Sequence, residues 1–145
     1  MEPSSQIPQL ITTHDLARRL GLARETIEKR RAHRPLTLPP HFVLLGRTVR
    51  YSLPEVEAWI AAGMPERSIG DDPDWIDRSA PPDPHAPLWC TARLTQRLAL
   101  TRNCFEKRRS VGAKSSLPQA RGTGRVVRYE TTDVLVWLAA QRVTG

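Results

Sequence analysis

The sequence predicts an α+β fold, mainly helical with small β-hairpins, made of two tandem copies of one small module. The first observation is an internal repeat, because a shift of 78 residues aligns the segment from Thr13 to Trp59 with that from Thr91 to Trp137 without a gap. The second is the helical spacing of apolar residues on both sides of a short turn in each copy. The third is a Gly-Arg-x-Val-Arg-Tyr segment that begins at Gly46 and again at Gly124. Two copies at so long a period indicate tandem domains rather than a solenoid.

The repeat sets the predicted domain boundaries within the 145 residues. Residues 1–9 are polar and contain proline, which predicts a disordered N-terminus. Residues 10–63 and 88–145 form the two predicted modules, and domains of this size bury only about 60% of their unfolded surface. Residues 64–87, between the modules, form an acidic, Pro-rich linker.

The charge of the chain is basic and unevenly distributed. The net charge is +7 and the isoelectric point is about 10.4. Lys and Arg exceed Asp and Glu by 3 in residues 1–63 and by 8 in residues 88–145, whereas residues 64–87 have an acidic excess of 4. An isoelectric point above about 9 with clustered arginine is typical of nucleic-acid-binding domains. The arginine content is equally compatible with a GC-rich genome, so charge alone does not decide the function.

Each copy begins with two short helices joined by a tight turn. Thr12 and Asp15 have the spacing of a capping box, and Leu16 and Leu20 follow on one helical face. This first helix is predicted to end at Gly21, and a second helix begins about three residues later, near Arg24. Two amphipathic helices separated by such a turn predict a helix-turn-helix unit.

The second helix of each unit is the candidate DNA-reading helix. With Ile27 facing inward and about 100° per residue, Glu25 and Lys29 point outward and Thr26 and Glu28 lie on the flanks. Asn, Lys and Glu can pair with base edges. Arg24 and Arg31 are expected nearer the packing side, where their stems can lie along apolar surface while their heads reach phosphates. The alternative is a solvated helix face with Glu–Arg pairs. The candidate residues are Arg24, Glu25, Thr26, Glu28, Lys29 and Arg31 in the first copy, and Arg102, Asn103, Cys104, Glu106, Lys107 and Arg109 in the second.

A β-hairpin is predicted to follow each of these helices. In the first copy, Val49 and Tyr51 alternate with Arg50, which places Arg50 outward and Arg47 at the hairpin tip. Arginines at the tip and on the outer face fit a wing that grips a phosphate strand or enters the minor groove. The alternative is an exposed hairpin whose arginines serve solubility. The candidate wing residues are Arg47 and Arg50, with Arg121, Arg125 and Arg128 in the second copy.

A third helix closes each copy and supplies its core. Ser52 and Glu55 have capping-box spacing at its start. Trp59 and Trp137 lie at helical spacing with aliphatic neighbours, a pattern of core residues rather than of base-stacking aromatics. The predicted inward faces are Val56, Trp59 and Ile60 in the first copy, and Val134, Trp137 and Leu138 in the second.

Catalytic, metal and cofactor sites are not predicted. The four histidines and the two cysteines, Cys90 and Cys104, lack metal-ligand spacing, and no nucleophile–base pattern or phosphate-binding glycine loop occurs. We therefore expect a protein that is not an enzyme and has no cofactor. The sequence has neither a secretory signal pattern nor an apolar run of membrane length, which favours a reduced, cytoplasmic protein associated with the nucleoid.

Each copy resembles the excisionase/AlpA-like helix-turn-helix family, within the MerR-type winged-helix group. The resemblance covers Leu10 to Ala62 and, less tightly, Leu88 to Ala140. It lies in the Leu-Gly-Leu turn, the Gly-Arg-x-Val-Arg-Tyr wing and the closing helix with Trp and Ala. It implies two tandem winged helix-turn-helix domains that bind double-stranded DNA. No long C-terminal heptad helix follows the wing, so a coiled-coil dimer and a small-molecule effector are not implied.

The expected function is sequence-specific binding of a bipartite duplex site, with transcriptional repression as its outcome. As a flexible coil, the linker would span roughly 25–30 Å, and half-sites one helical turn apart lie about 34–36 Å from each other. Within the linker, residues 72–77 predict a short helix, with Asp as its cap and Pro at its first position. Trp75 and Ile76 of this helix are expected to dock on one of the modules. The alternatives are an excisionase or plasmid-maintenance factor, with a recombinase or polymerase partner or as a homo-oligomer, and a protein-interaction adaptor whose first domain binds no DNA.

Overall fold

The computed structural model describes residues 7–67, 88–110, 117–121 and 127–143. The predicted linker helix with Trp75 and Ile76 lies outside these residues, as does Arg125 of the second predicted wing. Ile7 is fully buried, and the Gln9 side chain donates a hydrogen bond to the carbonyl oxygen of Arg97 at 3.1 Å. Ile7 and Gln9, which belong to the segment predicted to be disordered, therefore pack against the rest of the protein.

The predicted α+β class is confirmed, with six α-helices and two small antiparallel sheets among the described residues. The two copies repeat the same order of elements, and the second ends in an additional short strand. The first copy contains β1 (Leu10–Ile11), α1 (Thr13–Leu20), α2 (Arg24–His33), a 3-10 turn (Pro35–Thr37), β2 (His41–Leu44), β3 (Thr48–Ser52) and α3 (Leu53–Ala61). The second contains β4 (Leu88–Trp89), α4 (Thr91–Arg97), α5 (Arg102–Ser110), β5 (Ala120–Arg121), β6 (Arg128–Glu130), α6 (Thr131–Gln141) and β7 (Arg142–Val143).

One of the two sheets joins the two copies. One sheet has the order β4-β6-β5 and comes from the second copy alone. The other has the order β1-β3-β2-β7, so the last strand of the second copy pairs with the hairpin of the first. In this pairing His41 lies opposite Val143, and Phe42 lies opposite Arg142. Burial, together with the charges of Arg31 and Arg67, lowers the pKa of His41 to about 4, so this side chain is neutral at pH 7.

The hydrophobic core is also shared. A smaller cluster belongs to the first copy alone and includes Leu16, Ile27 and Tyr51. The larger cluster contains residues of both copies, so neither copy has its own complete core. Trp59 and Trp137 are buried, as predicted for core residues. The larger cluster comprises Ile7, Leu10, Phe42, Leu44 and Leu45 of the first copy, and Leu94, Leu98, Phe105, Leu117, Tyr129, Val134, Trp137 and Leu138 of the second.

The turn between the first two helices is built alike in both copies, with different residues at its centre. In the first copy the predicted capping box is present at Thr12 and Asp15, and Gly21 ends α1 with a φ of 68°. Ala99 takes the same place in the second copy with a φ of 56°. Left-handed backbone costs a residue with a Cβ roughly 1–2 kcal/mol. The second turn therefore carries strain that the first avoids.

The helix α3 differs from prediction at its start. The Ser52 hydroxyl accepts a hydrogen bond from the backbone N–H of Glu55 at 3.5 Å, but the capping box is only half formed. The Glu55 carboxylate instead accepts two hydrogen bonds from the guanidinium of Arg142, at 2.6 and 2.8 Å. The Arg142 side chain is 1% exposed and lies over the Phe42 ring, 5.8 Å from its centroid. This buried ion pair joins the end of the second copy to the first.

We predict that the buried pair is far more important for stability than an exposed pair of the same chemistry. Arg142→Ala leaves the Glu55 carboxylate buried without its cation, at a cost of about 3–5 kcal/mol. Arg19→Ala is the control, because the Arg19–Glu57 pair is about half exposed and such pairs contribute about 0–1 kcal/mol. Urea unfolding measures both changes, and equal losses of unfolding free energy would contradict the prediction.

A second prediction concerns the two turns. A Cβ added at Gly21 meets no atom within 4 Å, so Gly21→Ala changes only the backbone preference. We expect it to lower the unfolding free energy by about 1 kcal/mol. The matched change Ala99→Gly removes the backbone strain of the folded state. It also raises the conformational entropy of the unfolded chain, which costs about 0.4–1 kcal/mol of stability, so the net change in unfolding free energy should be close to zero or stabilising. A larger loss of unfolding free energy in urea for Ala99→Gly than for Gly21→Ala would contradict this prediction.

Candidate nucleic-acid interface

The helices α2 and α5 present the predicted reading faces to solvent. Ile27 and Phe105 are fully buried at equivalent positions and orient the two helices. The opposite faces are exposed, except for the half-buried Thr26 and Glu106 on the flanks. The predicted orientation of both helices is therefore confirmed. The exposed predicted base readers are Glu25, Glu28 and Lys29 on α2, and Asn103, Cys104 and Lys107 on α5.

In each copy, one of the predicted DNA-binding arginines connects the helix to the hairpin that follows it. The Arg31 Nη1 atom donates to the hydroxyl of Tyr51 at 3.1 Å and to that of Thr13 at 3.2 Å. The Arg109 Nη1 atom donates to the hydroxyl of Tyr129 at 3.0 Å, at the equivalent place in the repeat. Burial raises the pKa of Tyr51, so its hydroxyl stays protonated beside the guanidinium. These contacts fix the angle between helix and hairpin in both copies.

Arg24 and Arg102, at the start of the two helices, are more accessible. Arg24 was expected near the packing side, but its side chain is exposed and lies 3.9 Å from Glu28. The Nε atom of Arg102 donates to Oε1 of Glu106 at 2.8 Å. Both contacts are exposed pairs between residues four apart, which contribute about 0.3–0.5 kcal/mol. A phosphate could displace them at little cost.

A groove of about 440 Å³ lies between the start of α1, one side of α2 and strand β3. Four arginines face it against one carboxylate, so its charge is positive. The hydroxyl groups and the imidazole at the start of α1, which the sequence did not single out, form one wall. The lining residues are Thr12, Thr13, His14, Arg24, Glu28, Arg31, Arg47, Thr48, Val49 and Arg50.

The first hairpin confirms the prediction for Arg47 and corrects that for Arg50. Leu45 and Gly46 turn the chain at φ values of 53° and 84°, and Arg47 is exposed beside them. Arg50 was predicted to point into solvent, but it is half-buried. Its Nε and Nη2 atoms donate to the carbonyl oxygen of Ala99 at 3.1 and 2.8 Å, because the outer face of the hairpin meets the second copy.

The second hairpin is described only at its base. Arg128 is half-buried, and its Nη1 atom donates to the carbonyl oxygen of Val127 at 2.9 Å. Arg121 is exposed, and its Nη2 atom lies 3.1 Å from Oδ2 of Asp133 at the start of α6. Arg125 lies outside the described residues. The two arginines that are described lie opposite each other in the β5–β6 pairing.

Several arginines that connect the copies escaped prediction. The Nη2 atom of Arg108 donates to the carbonyl oxygen of Leu45 at 2.7 Å, and the Nε atom of Arg97 donates to that of Ile7 at 2.7 Å. The partners are separated by 63 and 90 positions, so no local pattern marks them. One signal was present, since Leu44 and Leu45 are apolar where the aligned residues of the second copy are Gly122 and Thr123.

Other kinds of site receive no support from the described part of the chain. It holds no group of three or more His, Cys, Asp or Glu side chains that could bind a metal ion. None of its helices is long and apolar enough to cross a membrane. No family model, curated protein or solved structure matches this chain. Only the geometry of the described residues therefore indicates a function.

Proposed function

We propose that this chain is a sequence-specific double-stranded DNA-binding protein made of two winged helix-turn-helix units, and that it acts as a transcriptional repressor. The helices α2 and α5 read bases in the major groove, and the hairpins are the wings. The observation that carries the proposal is the positive groove between α2 and β3, which includes Arg24, Arg31 and Arg47. Occlusion of a promoter by the bound protein would repress transcription.

The groove suits a phosphate backbone for three reasons. Arginine presents several donors in a fixed fork that matches phosphate oxygens. Arg31 is held in place by two hydroxyl groups, so little side-chain entropy is lost when it binds an anion. The hydroxyl of Thr13 and the ring of His14 lie on the same wall, next to the start of α1. A phosphate strand in this groove would position α2 against the base edges of the adjacent major groove.

The two reading helices would prefer different half-sites. At the most outward position, Glu25 in the first copy is replaced by Asn103 in the second. Glutamate can accept a hydrogen bond from cytosine, whereas asparagine can pair bidentately with adenine. The second copy is also the more basic, so its contacts should supply more of the salt-dependent affinity. The preferred DNA site would therefore be asymmetric.

A second candidate function is that of a protein-interaction adaptor. It is favoured by Leu22 and Met64, which are 36% and 52% exposed beside an open groove of about 420 Å³ in the first copy. Such a surface could bind an apolar partner side chain. DNA and protein contacts would use different faces of the first copy, and an excisionase or plasmid-maintenance factor would use both.

Selection from a random duplex library with the full chain tests the proposed function. We predict recovery of one asymmetric site. Arg102→Ala should weaken binding to it by about tenfold or more, since a base- or phosphate-reading arginine contributes about 1–3 kcal/mol. Arg24→Ala should have a smaller effect on binding. Either change should lower the unfolding free energy by no more than about 0.5 kcal/mol, because both side chains belong to exposed ion pairs.

Arg19→Ala is the matched control for the binding measurements. Arg19 is an equally exposed arginine that pairs with Glu57 and does not line the positive groove. Its loss should leave the dissociation constant almost unchanged at constant salt. The DNA-binding proposal would be overturned if no sequence were enriched, or if Arg102→Ala bound the selected site as tightly as Arg19→Ala.

A further inference from the structure

The helix α5 lies between two hairpins. At about 100° per residue, Arg108 and Arg109 flank the buried Phe105 on opposite sides of the helix. Arg109 contacts Tyr129 of its own hairpin, and Arg108 contacts the backbone of Leu45 at the tip of the first hairpin. The first hairpin therefore packs beside the reading helix of the other copy as well as beside its own.

The helix α2 has no such second neighbour among the described residues. Arg31 contacts its own hairpin through Tyr51. On the opposite flank Arg30, the counterpart of Arg108, lines the open groove beside Leu22 and Met64. Among the described residues the hairpin of the first copy is therefore shared, because it contacts α5 through Arg108 as well as its own helix α2 through Arg31.

The tip of the first hairpin is adapted to this position. Leu44 and Leu45 are 0% and 4% exposed and belong to the shared cluster, whereas the aligned residues in the second copy are Gly122 and Thr123. Leu45 also has a positive φ, which is rare for a bulky residue. Burial in the second copy offsets that strain. A hairpin tip that served only as a free wing would not need two buried leucines.

Further contacts along the hairpin fix the orientation of the copies. Arg50 of β3 donates twice to the carbonyl oxygen of Ala99, in the turn that leads to α5. Strand β2 pairs with β7 on the other edge, and the buried Glu55–Arg142 pair lies next to that pairing. The contacts at the hairpin tip, on β3 and at the β2–β7 pairing leave little freedom for one copy to rotate relative to the other.

We propose that the first hairpin holds the two reading helices in one fixed register, so that the chain recognises two half-sites at a single spacing on one duplex. This inference rests on the proposed DNA-binding function. Arg47, exposed at the shared tip and lining the groove beside α2, contacts the phosphates between the half-sites. The spacing is set by the shared core instead of by the length of the chain between the copies.

A fixed register and a flexible tether respond differently to inserted base pairs. One added base pair rotates the second half-site by about 34–36°, at about 10–10.5 base pairs per turn. It also moves the half-site by about 3.4 Å along the duplex. A rigid protein cannot follow both changes, whereas a tether can reach over several spacings. Losing one of two linked contacts typically removes about 10²–10⁴-fold in affinity.

The experiment has one arm with DNA and one without. In the first, the selected site is lengthened by 1, 2, 5 and 10 base pairs between its halves, and anisotropy measures the dissociation constant. We expect about a 100-fold loss at one or two added base pairs, with no recovery at ten. If the dissociation constant changed by less than about threefold across the series, the fixed register would be overturned. Failure of the full chain to select any site would instead overturn the proposed function.

In the second arm a protease site is placed between residues 68 and 87 of the full chain and cleaved. The two fragments should co-elute in size-exclusion chromatography, because the shared cluster holds them together. Leu45→Asp should separate them, and Leu22→Asp is the control, since Leu22 is an exposed leucine outside the cluster. Arg108→Ala is a milder variant that should weaken the association without disturbing the core. Separation of the unsubstituted fragments would overturn the fixed register whatever the DNA result.

Discussion

Leu44 and Leu45, at the tip of the first hairpin, are buried in a hydrophobic cluster with residues of the second copy, and this packing joins the two copies. It completes the larger hydrophobic cluster, which neither copy could form alone. It also brings the backbone of the first hairpin against Arg108 and the turn before α5. Two domains of this size with separate cores would each bury little surface and be marginally stable. A shared core buries more surface than two separate cores would, and it fixes the positions of the two candidate reading helices relative to each other.

The arginines of this basic chain divide into groups by what they contact. Arg31 and Arg109 bind tyrosine hydroxyls and hold helix and hairpin together within a copy. Arg50, Arg108 and Arg142 bind groups in the other copy. Exposed arginines at the helix starts and at the hairpin tip, together with Arg31, remain for the proposed contacts with DNA. Much of the arginine content is therefore structural, and the charge of the sequence overstates the number of cations that DNA can reach.

The sequence predicts features that depend on neighbouring residues. The capping box at Thr12, the left-handed end of α1 at Gly21 and the inward face of α2 at Ile27 all follow from local spacing, and the structure confirms them. The joining of the copies could not be predicted in this way. Glu55 and Arg142 are 87 positions apart. The spacing of Glu55 predicts a capping residue, but its carboxylate binds Arg142 instead. Arg50 likewise follows the strand alternation but faces the second copy instead of solvent.

The positive groove shows the same division between local and long-range determinants. Arg24 and Arg31 belong to a helix that the sequence predicts, and Arg47 to a hairpin tip that it also predicts. The other wall comes from Thr12, Thr13 and His14, because the fold brings the start of α1 beside the hairpin. The sequence therefore predicts which cations belong to the candidate site, but it does not predict the shape of the groove in which they lie. The proposed reading of bipartite DNA depends on both, since the cations need a rigid frame.

Differential scanning calorimetry of the intact chain, without DNA, shows whether the two copies unfold as one cooperative unit. With a shared core we expect a single transition in which the van't Hoff and calorimetric enthalpies agree, as in a two-state domain. Two separable transitions, or a van't Hoff enthalpy near half the calorimetric value, would mean that the copies unfold independently, and the shared core and fixed spacing of the reading helices would then be wrong.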